Sequence, residues 1–334
     1  MEKTKVRKLS VGSVLREWGL ILGILVIILI ATIIRPQFLA GSNFMNILRA
    51  SSTIGIASIG MTFVVIGGGM DLSLGSTVSL SAVVTMLVMN SPLGVAVETS
   101  NYAALLAFVV AIAVGTAVGL INGFIMALVN GRSGESFIIT YAMQIVVAAV
   151  ALIVVKGGFQ AAKYPAGMFK QLGVGMTPII IFLVVAVITH LILSRTKTGR
   201  YLYFLGSNMD AAKMAGVKIK TTRILSHVLC GACAGLAGML IVSRVNSASA
   251  LQGVGYELEA MACVAVGGTS MAGGSGSIIK TVIGVLVIGV LATALNVMGV
   301  NSNQQLIVRG AVIIIAVILD SWNKRLQLKE VVKS

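Results

Sequence analysis

The stretch from Tyr102 to Val129 reads YAALLAFVVAIAVGTAVGLINGFIMALV and contains no charged side chain. It is longer than the roughly 20 apolar residues that an α-helix needs to cross the hydrocarbon core of a bilayer. Its apolar residues are continuous, whereas the strands of a membrane β-barrel alternate apolar and polar residues. The stretch therefore predicts a membrane-spanning helix and argues against a barrel.

The rest of the chain has the same character. Of its 334 residues, 57% are hydrophobic and only 10% are charged, and the mean hydropathy is +1.02. A soluble protein cannot cover so much apolar surface, so a soluble globular enzyme is excluded. The 38 glycines suit helices that pack closely through small residues. About 190 apolar residues at roughly 20 per span predict an all-α membrane protein, a polytopic bundle of about ten transmembrane helices.

The apolar runs and the charges between them predict the layout of the chain. A cytoplasmic segment over 1–17 precedes a transmembrane domain over 18–320, and a cytoplasmic tail follows over 321–334. The net charge of +15 is explained by lysines and arginines in cytoplasmic loops rather than by nucleic acid binding. An even number of spans places both termini in the cytoplasm. The spans are predicted at 18–34, 45–67, 74–90, 102–129, 137–155, 178–194, 224–243, 258–271, 278–299 and 304–320, of which the eighth is short enough to be broken or re-entrant.

Two glycine-rich breaks interrupt the apolar pattern. In the first, Gly67-Gly68-Gly69 ends the second span, and Asp71 and Ser73 follow. These two residues either cap the next helix or form part of a gate or pathway, because a carboxylate near membrane depth has a partner or a role. The second break contains Gly267, Gly268 and Thr269.

The second break also raises the question of nucleotide binding. A phosphate-binding loop requires Gly-Lys followed by Ser or Thr, and the chain has no Gly-Lys pair. The chain is therefore expected not to hydrolyse ATP itself. It is also predicted to bind no cofactor and no metal and to be no enzyme. The run 61–68, MTFVVIGG, is echoed by 261–268, MACVAVGG. This echo reflects either an internal repeat, as in many transporters, or chance similarity between apolar stretches.

The basic loop 195–223 contains a third feature. Ser207 or Asn208 can cap a short helix, Asp210 lies in its first turn, and Gly216 is a natural stop. A helix of about two turns is only marginally stable by itself. It packs either on the protein itself or on a cytoplasmic partner.

Three motifs carry a family resemblance: GGMDLSLGS (68–76), GSNMDAAKMAGV (206–217) and GYELEAMA…VGGTSMAGG (255–274). In this order they resemble the ribose-type permeases of bacterial ABC importers, over nearly the whole chain. The resemblance implies a type II importer-like fold in the inner membrane and a second permease, either a copy or a paralogue. It also implies two cytoplasmic ATPases that bind ATP and Mg²⁺, an extracytoplasmic substrate-binding protein, and a simple sugar or related small polar cargo.

The resemblance and the residue chemistry together define three groups of candidate residues. The coupling group, which would seat in an ATPase, is Gly206, Ser207, Asn208, Asp210, Ala211, Ala212 and Gly216. The gate or pathway group is Gly68, Gly69, Asp71, Ser73, Asn122, Gly267, Gly268, Thr269 and Asn296, although amides such as Asn122 and Asn296 also tie helices together. Three lysines on the external 156–177 loop, Lys156, Lys163 and Lys170, either contact only lipid or solvent or form a docking group for the binding protein.

One stretch, 134–144, departs from the family pattern. It has Glu-Ser-Phe at 135–137 and Tyr141 where other residues are expected, which bears either on cargo or on gating. The predicted function is the transmembrane subunit of an ATP-driven importer. The alternatives are an ion-gradient-coupled transporter, for which Asp71 and Glu259 are the candidate carriers, and a membrane scaffold, which the polar breaks argue against.

Overall fold

The computed structural model describes residues 25–97, 102–129, 131, 133–156, 159–163, 168–301, 303–315 and 318. The proposed segments 1–17 and 321–334 lie outside the described residues, as do the start of the first predicted span and the end of the last. The location of the termini therefore stays a prediction.

The described chain is almost entirely helical, as predicted, with one two-stranded antiparallel sheet that pairs Phe159 with Ser249 and Ala161 with Ser247. A short 3₁₀ helix covers Pro36–Leu39. The elements are α1 Leu25–Ile34, α2 Gly41–Ile66, α3 Leu74–Met89, α4 Pro92–Val97, α5 Tyr102–Val129, α6 Ser133–Val155, β1 Phe159–Ala161, α7 Met168–Gln171, α8 Thr177–Arg195, α9 Lys197–Ser207, α10 Met209–Met214, α11 Ile219–Val245, β2 Ser247–Ser249, α12 Tyr256–Val266, α13 Ile278–Val297 and α14 Asn303–Ile315.

Each of the ten predicted spans contains a helix, but these helices differ in length. Within the described residues, six are long and apolar enough to cross a membrane, namely α2, α5, α6, α8, α11 and α13. The third and eighth predicted spans are the shorter helices α3, with 16 residues, and α12, with 11 residues. The chain is a polytopic helical membrane protein, and the count of ten spans stays a prediction.

Glycines allow α5 and α11 to cross in close contact. A Cβ placed on Gly115 would meet the carbonyl oxygen of Gly231, and a Cβ on Gly231 would meet the carbonyl oxygen of Gly115. The crossing continues one turn away in each direction, where Gly119 faces the His227 carbonyl and Gly235 faces the Ala111 carbonyl. Helices in a bilayer gain association energy from such close backbone approach.

The central helix is α2, which is buried along most of its length. Two of its hydroxyl groups have partners inside the protein: Ser58 Oγ donates to the Ile54 carbonyl, and Thr62 Oγ1 lies 2.7 Å from Thr281 Oγ1 on α13. By contrast, α5, α6 and α8 carry many exposed apolar side chains, among them Leu105, Ile153 and Val187. This arrangement suits a helix core surrounded by lipid-facing helices.

The bundle has two distinct ends. We call one the hairpin face, where β1, β2 and α7 lie and where the Asn90 side chain donates to the Ala161 carbonyl at 2.7 Å. We call the other the junction face, where α2 ends at Ile66, α9 ends at Ser207 and α12 ends at Val266. Both glycine-rich breaks and the predicted coupling segment therefore lie at the junction face.

Candidate functional site: a glycine junction beside a short exposed helix

The first break has a defined turn after α2. Gly67 keeps a helical conformation, Gly68 has φ +81°, and the Gly69 N–H donates to the Val64 carbonyl at 3.0 Å. A positive φ is costly for a residue with a Cβ. Gly68 is therefore the left-handed glycine that terminates α2.

The second break repeats this turn. Gly267 is helical, Gly268 has φ +84°, and the Thr269 N–H donates to the Val264 carbonyl at 3.1 Å. Each hydrogen bond of the first turn thus has a counterpart 200 positions later. The sequence echo therefore corresponds to the same helix-ending turn, a common one at glycine, and an internal repeat stays a prediction.

Three segments meet at the junction face: the end of α2, the end of α9 and the loop 267–277. A Cβ on Gly206 would lie 2.5 Å from the Gly274 nitrogen and would also meet the Ile66 carbonyl oxygen. That carbonyl accepts a hydrogen bond from the Gly274 N–H at 2.9 Å. A Cβ on Gly273 would lie 2.8 Å from the Gly68 Cα. We call this contact of Ile66, Gly68, Gly206, Gly273 and Gly274 the glycine junction.

A side chain adds a second link between α9 and the same loop. The Tyr203 hydroxyl donates to the Gly276 carbonyl at 2.8 Å. Burial raises the pKa of the Tyr203 phenol, so the hydroxyl keeps its proton and remains a donor. On the same loop, Thr269 is buried and a Cβ on Gly276 would approach its side chain at 2.5 Å. The loop 267–277 is therefore held to α9 by both backbone and side-chain contacts.

The short exposed helix α10 continues directly from α9. Asn208 is its N-cap, because its Oδ1 accepts from the N–H groups of Asp210 and Ala211, both at 3.0 Å. Gly216 follows the helix with φ +77°. Asn208 and Gly216 thus perform the predicted local roles. Ala211 is exposed, whereas Ala212 is 2% exposed and faces the protein.

Asp71 is buried and engaged by its neighbours. Its Oδ1 accepts from the Ser73 N–H at 3.0 Å and the Ser73 hydroxyl at 2.6 Å. The Asn122 amide donates to Ser73 Oγ at 2.7 Å and lies 3.5 Å from both carboxylate oxygens. Ser73 occupies the expected N-cap position of α3, but neither its side chain nor that of Asp71 caps the helix. The Ser73 hydroxyl instead donates to Asp71 and accepts from the Asn122 amide.

Two residues that sequence reasoning missed hold the first break in place. Ser136 Oγ donates to the Met70 carbonyl at 2.7 Å, and the Leu72 N–H donates to Thr140 Oγ1 at 3.1 Å. Ser136 and Thr140 lie four residues apart on α6, within the stretch that departs from the family pattern. This spacing places two hydroxyl groups on one face of the helix, and it is the sequence signal that could have identified them. Phe137 and Tyr141 of the same stretch stack on each other with centroids 6.3 Å apart and are exposed.

The remaining candidates lie away from the junction. Asn296 lies at the end of α13 and accepts from Gln305 Nε2 at 2.8 Å, so it ties α13 to α14. Lys163 Nζ donates to the Asn90 carbonyl at 2.9 Å on the hairpin face. On the same connection, Lys156 is exposed and Lys170 is half-buried in α7. Glu259, the second candidate ion carrier, forms an ion pair with Arg309 at 2.8 Å.

Substitutions at Asp71 test whether this carboxylate holds the first break. Asp71→Ala removes the acceptor for two Ser73 donors and should destabilise the protein by about 1–3 kcal/mol, the cost of unsatisfied buried polar groups. Asp71→Asn keeps an oxygen acceptor and should lose less stability than Asp71→Ala. Thermal unfolding of the detergent-purified chain measures both variants. An Asp71→Ala protein as stable as the parent would contradict this assignment.

The family model described as "Branched-chain amino acid transport system / permease component" matches residues 43–317. The ribose import permease protein RbsC of Escherichia coli K12 is 36% identical over 314 residues, which cover 92% of this chain and 94% of the relative. RbsC of Bacillus subtilis 168 is 35% identical, over 95% and 97% of the two chains.

A third relative, the galactose/methyl galactoside import permease protein MglC of Escherichia coli K12, is 32% identical over 95% of this chain and 97% of its own length. The comparison with solved structures gave no match. The chain belongs to the permease-component family that its family model describes.

Proposed function

We propose that this chain is the transmembrane subunit of an ATP-binding-cassette importer and that two permeases form the translocation pathway between them. The proposal rests above all on the glycine junction. The junction joins α9, which continues into the exposed helix α10, to both glycine-rich breaks, so a displacement of α10 would be transmitted to the ends of α2 and α12 together. The permease itself carries out no covalent chemistry.

The energy source is proposed to lie outside this chain. Two ATPase subunits would bind ATP and Mg²⁺ and contact the exposed side of α10, which includes Asn208, Asp210 and Ala211. The junction face would then be cytoplasmic and the hairpin face external, which agrees with the basic residues of the α8–α11 connection. Helix α10 is marginal by itself, so a docked ATPase would also stabilise it.

The proposed cargo is a simple sugar or a related small polar solute. The relatives' names include ribose and galactose or methyl galactoside, and each relative is matched over at least 94% of its length. A separate substrate-binding protein would deliver the cargo to the hairpin face. There, Lys156 and Lys170 are better placed to meet an acidic partner than Lys163, whose ammonium group is bound to Asn90.

The ion-gradient alternative has weaker support. An ion carrier must expose its carboxylate to the pathway during transport. Asp71 is 2% exposed and hydrogen-bonded within its own loop, and Glu259 is paired with Arg309. Both carboxylates therefore have structural partners.

Co-purification tests the proposal directly. The tagged chain, extracted from its native membrane in mild detergent, should elute with a stoichiometric ATPase and should show whether the second permease is a copy or a paralogue. Elution without any ATPase, from an extract in which other transporter complexes remain intact, would contradict the proposal.

A substitution on α10 tests the coupling role. Ala211→Trp adds a bulky side chain to the exposed side and should uncouple ATP hydrolysis from sugar uptake without unfolding the chain, since Ala211 is exposed. Uptake and ATPase activity are measured together in proteoliposomes. Ala211→Ser is the matched control and should behave like the parent. Fully ATP-driven uptake by Ala211→Trp would count against α10 as the contact. Ala212 is unsuitable for this test because its side chain faces inward.

A further inference from the structure

The segment between β2 and α12 enters the bundle without forming a helix. Ala250–Gly255 consists of turns, and α12 begins at Tyr256. The Gly253 N–H donates to Ser79 Oγ at 2.8 Å, and the Gly253 Cα packs against the Gly75 carbonyl. The segment is therefore anchored on the first half of α3.

This anchoring places the segment near the middle of the membrane. Ser79 lies ten residues before Met89, the last residue of α3, and a helix rises about 1.5 Å per residue. Gly253 is thus about 15 Å below the hairpin face, which is half of a hydrocarbon core of about 30 Å. The 11 residues of α12 cover the other half and end at the glycine junction.

Apolar side chains at this bend are exposed. The exposed fractions are 67% for Leu251, 69% for Val254 and 52% for Leu258. Irregular backbone at membrane depth does not face lipid, because lipid cannot hydrogen-bond to it; such backbone is buried in protein or lines a water-filled cavity. The exposed side of this segment therefore does not belong to the lipid-facing surface.

A buried carboxylate adjoins the same segment. Glu257 is 6% exposed, its Oε1 accepts from the Gly255 N–H at 3.3 Å, and its Oε2 lies against Gly75. That oxygen has no hydrogen-bond partner among the described residues. A carboxylate at mid-depth is costly beside hydrocarbon and is found facing a bundle interior or water. The Glu257 carboxylate therefore faces the bundle interior, against α3.

We propose that Leu251, Val254 and Leu258, which we call the mid-membrane wall, line the water-filled translocation pathway opposite the second permease. This assignment rests on the proposed function. The wall is continuous with α12, whose C-terminal end carries the loop that contacts Gly206 and Tyr203. Movement of α9 and α10 is thereby transmitted to the wall through a single short helix. An apolar wall without strong polar contacts also lets a polar cargo pass without being retained.

Thiol labelling of the reconstituted transporter complex tests the wall. Val254→Cys is compared with Val187→Cys, a valine of similar exposure, 60%, on α8. Val187 lies ten residues from the start of α8, at the matching depth of about 15 Å, but on a regular helix. The native Cys230, Cys233 and Cys263 are buried, so the parent chain gives the background rate. The probe is a charged, water-soluble methanethiosulfonate.

We expect Val254→Cys to react at least about tenfold faster than Val187→Cys, because a thiol forms its reactive thiolate in water and not in apolar surroundings. Leu251→Cys should react similarly and serves as the second variant. Equal labelling rates at positions 254 and 187 would overturn the assignment of the mid-membrane wall to the pathway. Protection of position 254 from labelling, together with cross-linking of this position to the second permease, would also overturn it, because this result would indicate a dry interface.

Labelling requires neither cargo nor ATP, so its result is separate from the test of the proposed function. Slow labelling at position 254 in a complex that still imports sugar would overturn the wall and leave the importer intact. Fast labelling in a complex without ATP-driven uptake would support a wet pathway and contradict the ABC importer.

Discussion

Gly206→Ala should reduce ATP-driven uptake at least about tenfold, although alanine favours a helix over glycine by about 0.5–1 kcal/mol. Gly206 lies in α9, where a Cβ would meet the Ile66 carbonyl oxygen and lie 2.5 Å from the Gly274 nitrogen. Both are backbone atoms and cannot rotate away, so α9 must separate from the two breaks. The local helix gains stability while the contact that transmits its movement is lost.

Uptake and ATPase activity of the reconstituted complex measure this effect. Gly134→Ala is the matched control: Gly134 lies in α6 and a Cβ there has nothing within 4 Å, so uptake should be unchanged. Tyr203→Phe removes the hydrogen bond from the Tyr203 hydroxyl to the Gly276 carbonyl without adding volume. It should reduce uptake less than Gly206→Ala does. Normal coupled uptake by Gly206→Ala would show that the glycine junction does not transmit movement.

Gly115→Leu should prevent most of the chain from reaching its folded state. The side chain would meet the Gly231 backbone across the α5–α11 crossing, and the adjacent pairs Gly119–His227 and Gly235–Ala111 leave no room for local adjustment. Overpacking a core costs about 1–3 kcal/mol when side chains can shift. Here the obstacle is backbone, so two helices must separate along several turns and the cost is larger.

Fluorescence-detected size-exclusion chromatography of membrane extracts measures the folded fraction. Gly310→Leu on α14 is the control, because a Cβ at Gly310 has nothing within 4 Å, and it should retain the parent's monodisperse peak. Gly115→Ala should be intermediate. A normal peak for Gly115→Leu would mean that the helices tolerate a wider crossing than the structure indicates.

The functional elements differ in how far the sequence could predict them. Asn208 and Gly216 were assigned correctly because a cap depends on residues within one or two turns. Asp71 was recognised as important, but its contacts were not, because Asn122 lies 51 positions away and Ser136 acts on the same loop from another helix. Asn296 was grouped with the gate, but its amide binds Gln305 near the end of α13. An amide in an apolar run has the same sequence signature in either role.

The sequence alone determined the class of protein, the order of its apolar segments, the two glycine-rich breaks and the absence of a phosphate-binding loop. These follow from hydropathy and from short-range backbone chemistry, which need no knowledge of distant residues. Only the tertiary structure decided which glycines touch, that Ala212 faces inward while Ala211 is exposed, and that Leu251 and Val254 are exposed at a bend anchored on α3. A glycine creates a close contact only where another backbone arrives to occupy the missing Cβ position, and that backbone comes from far along the chain.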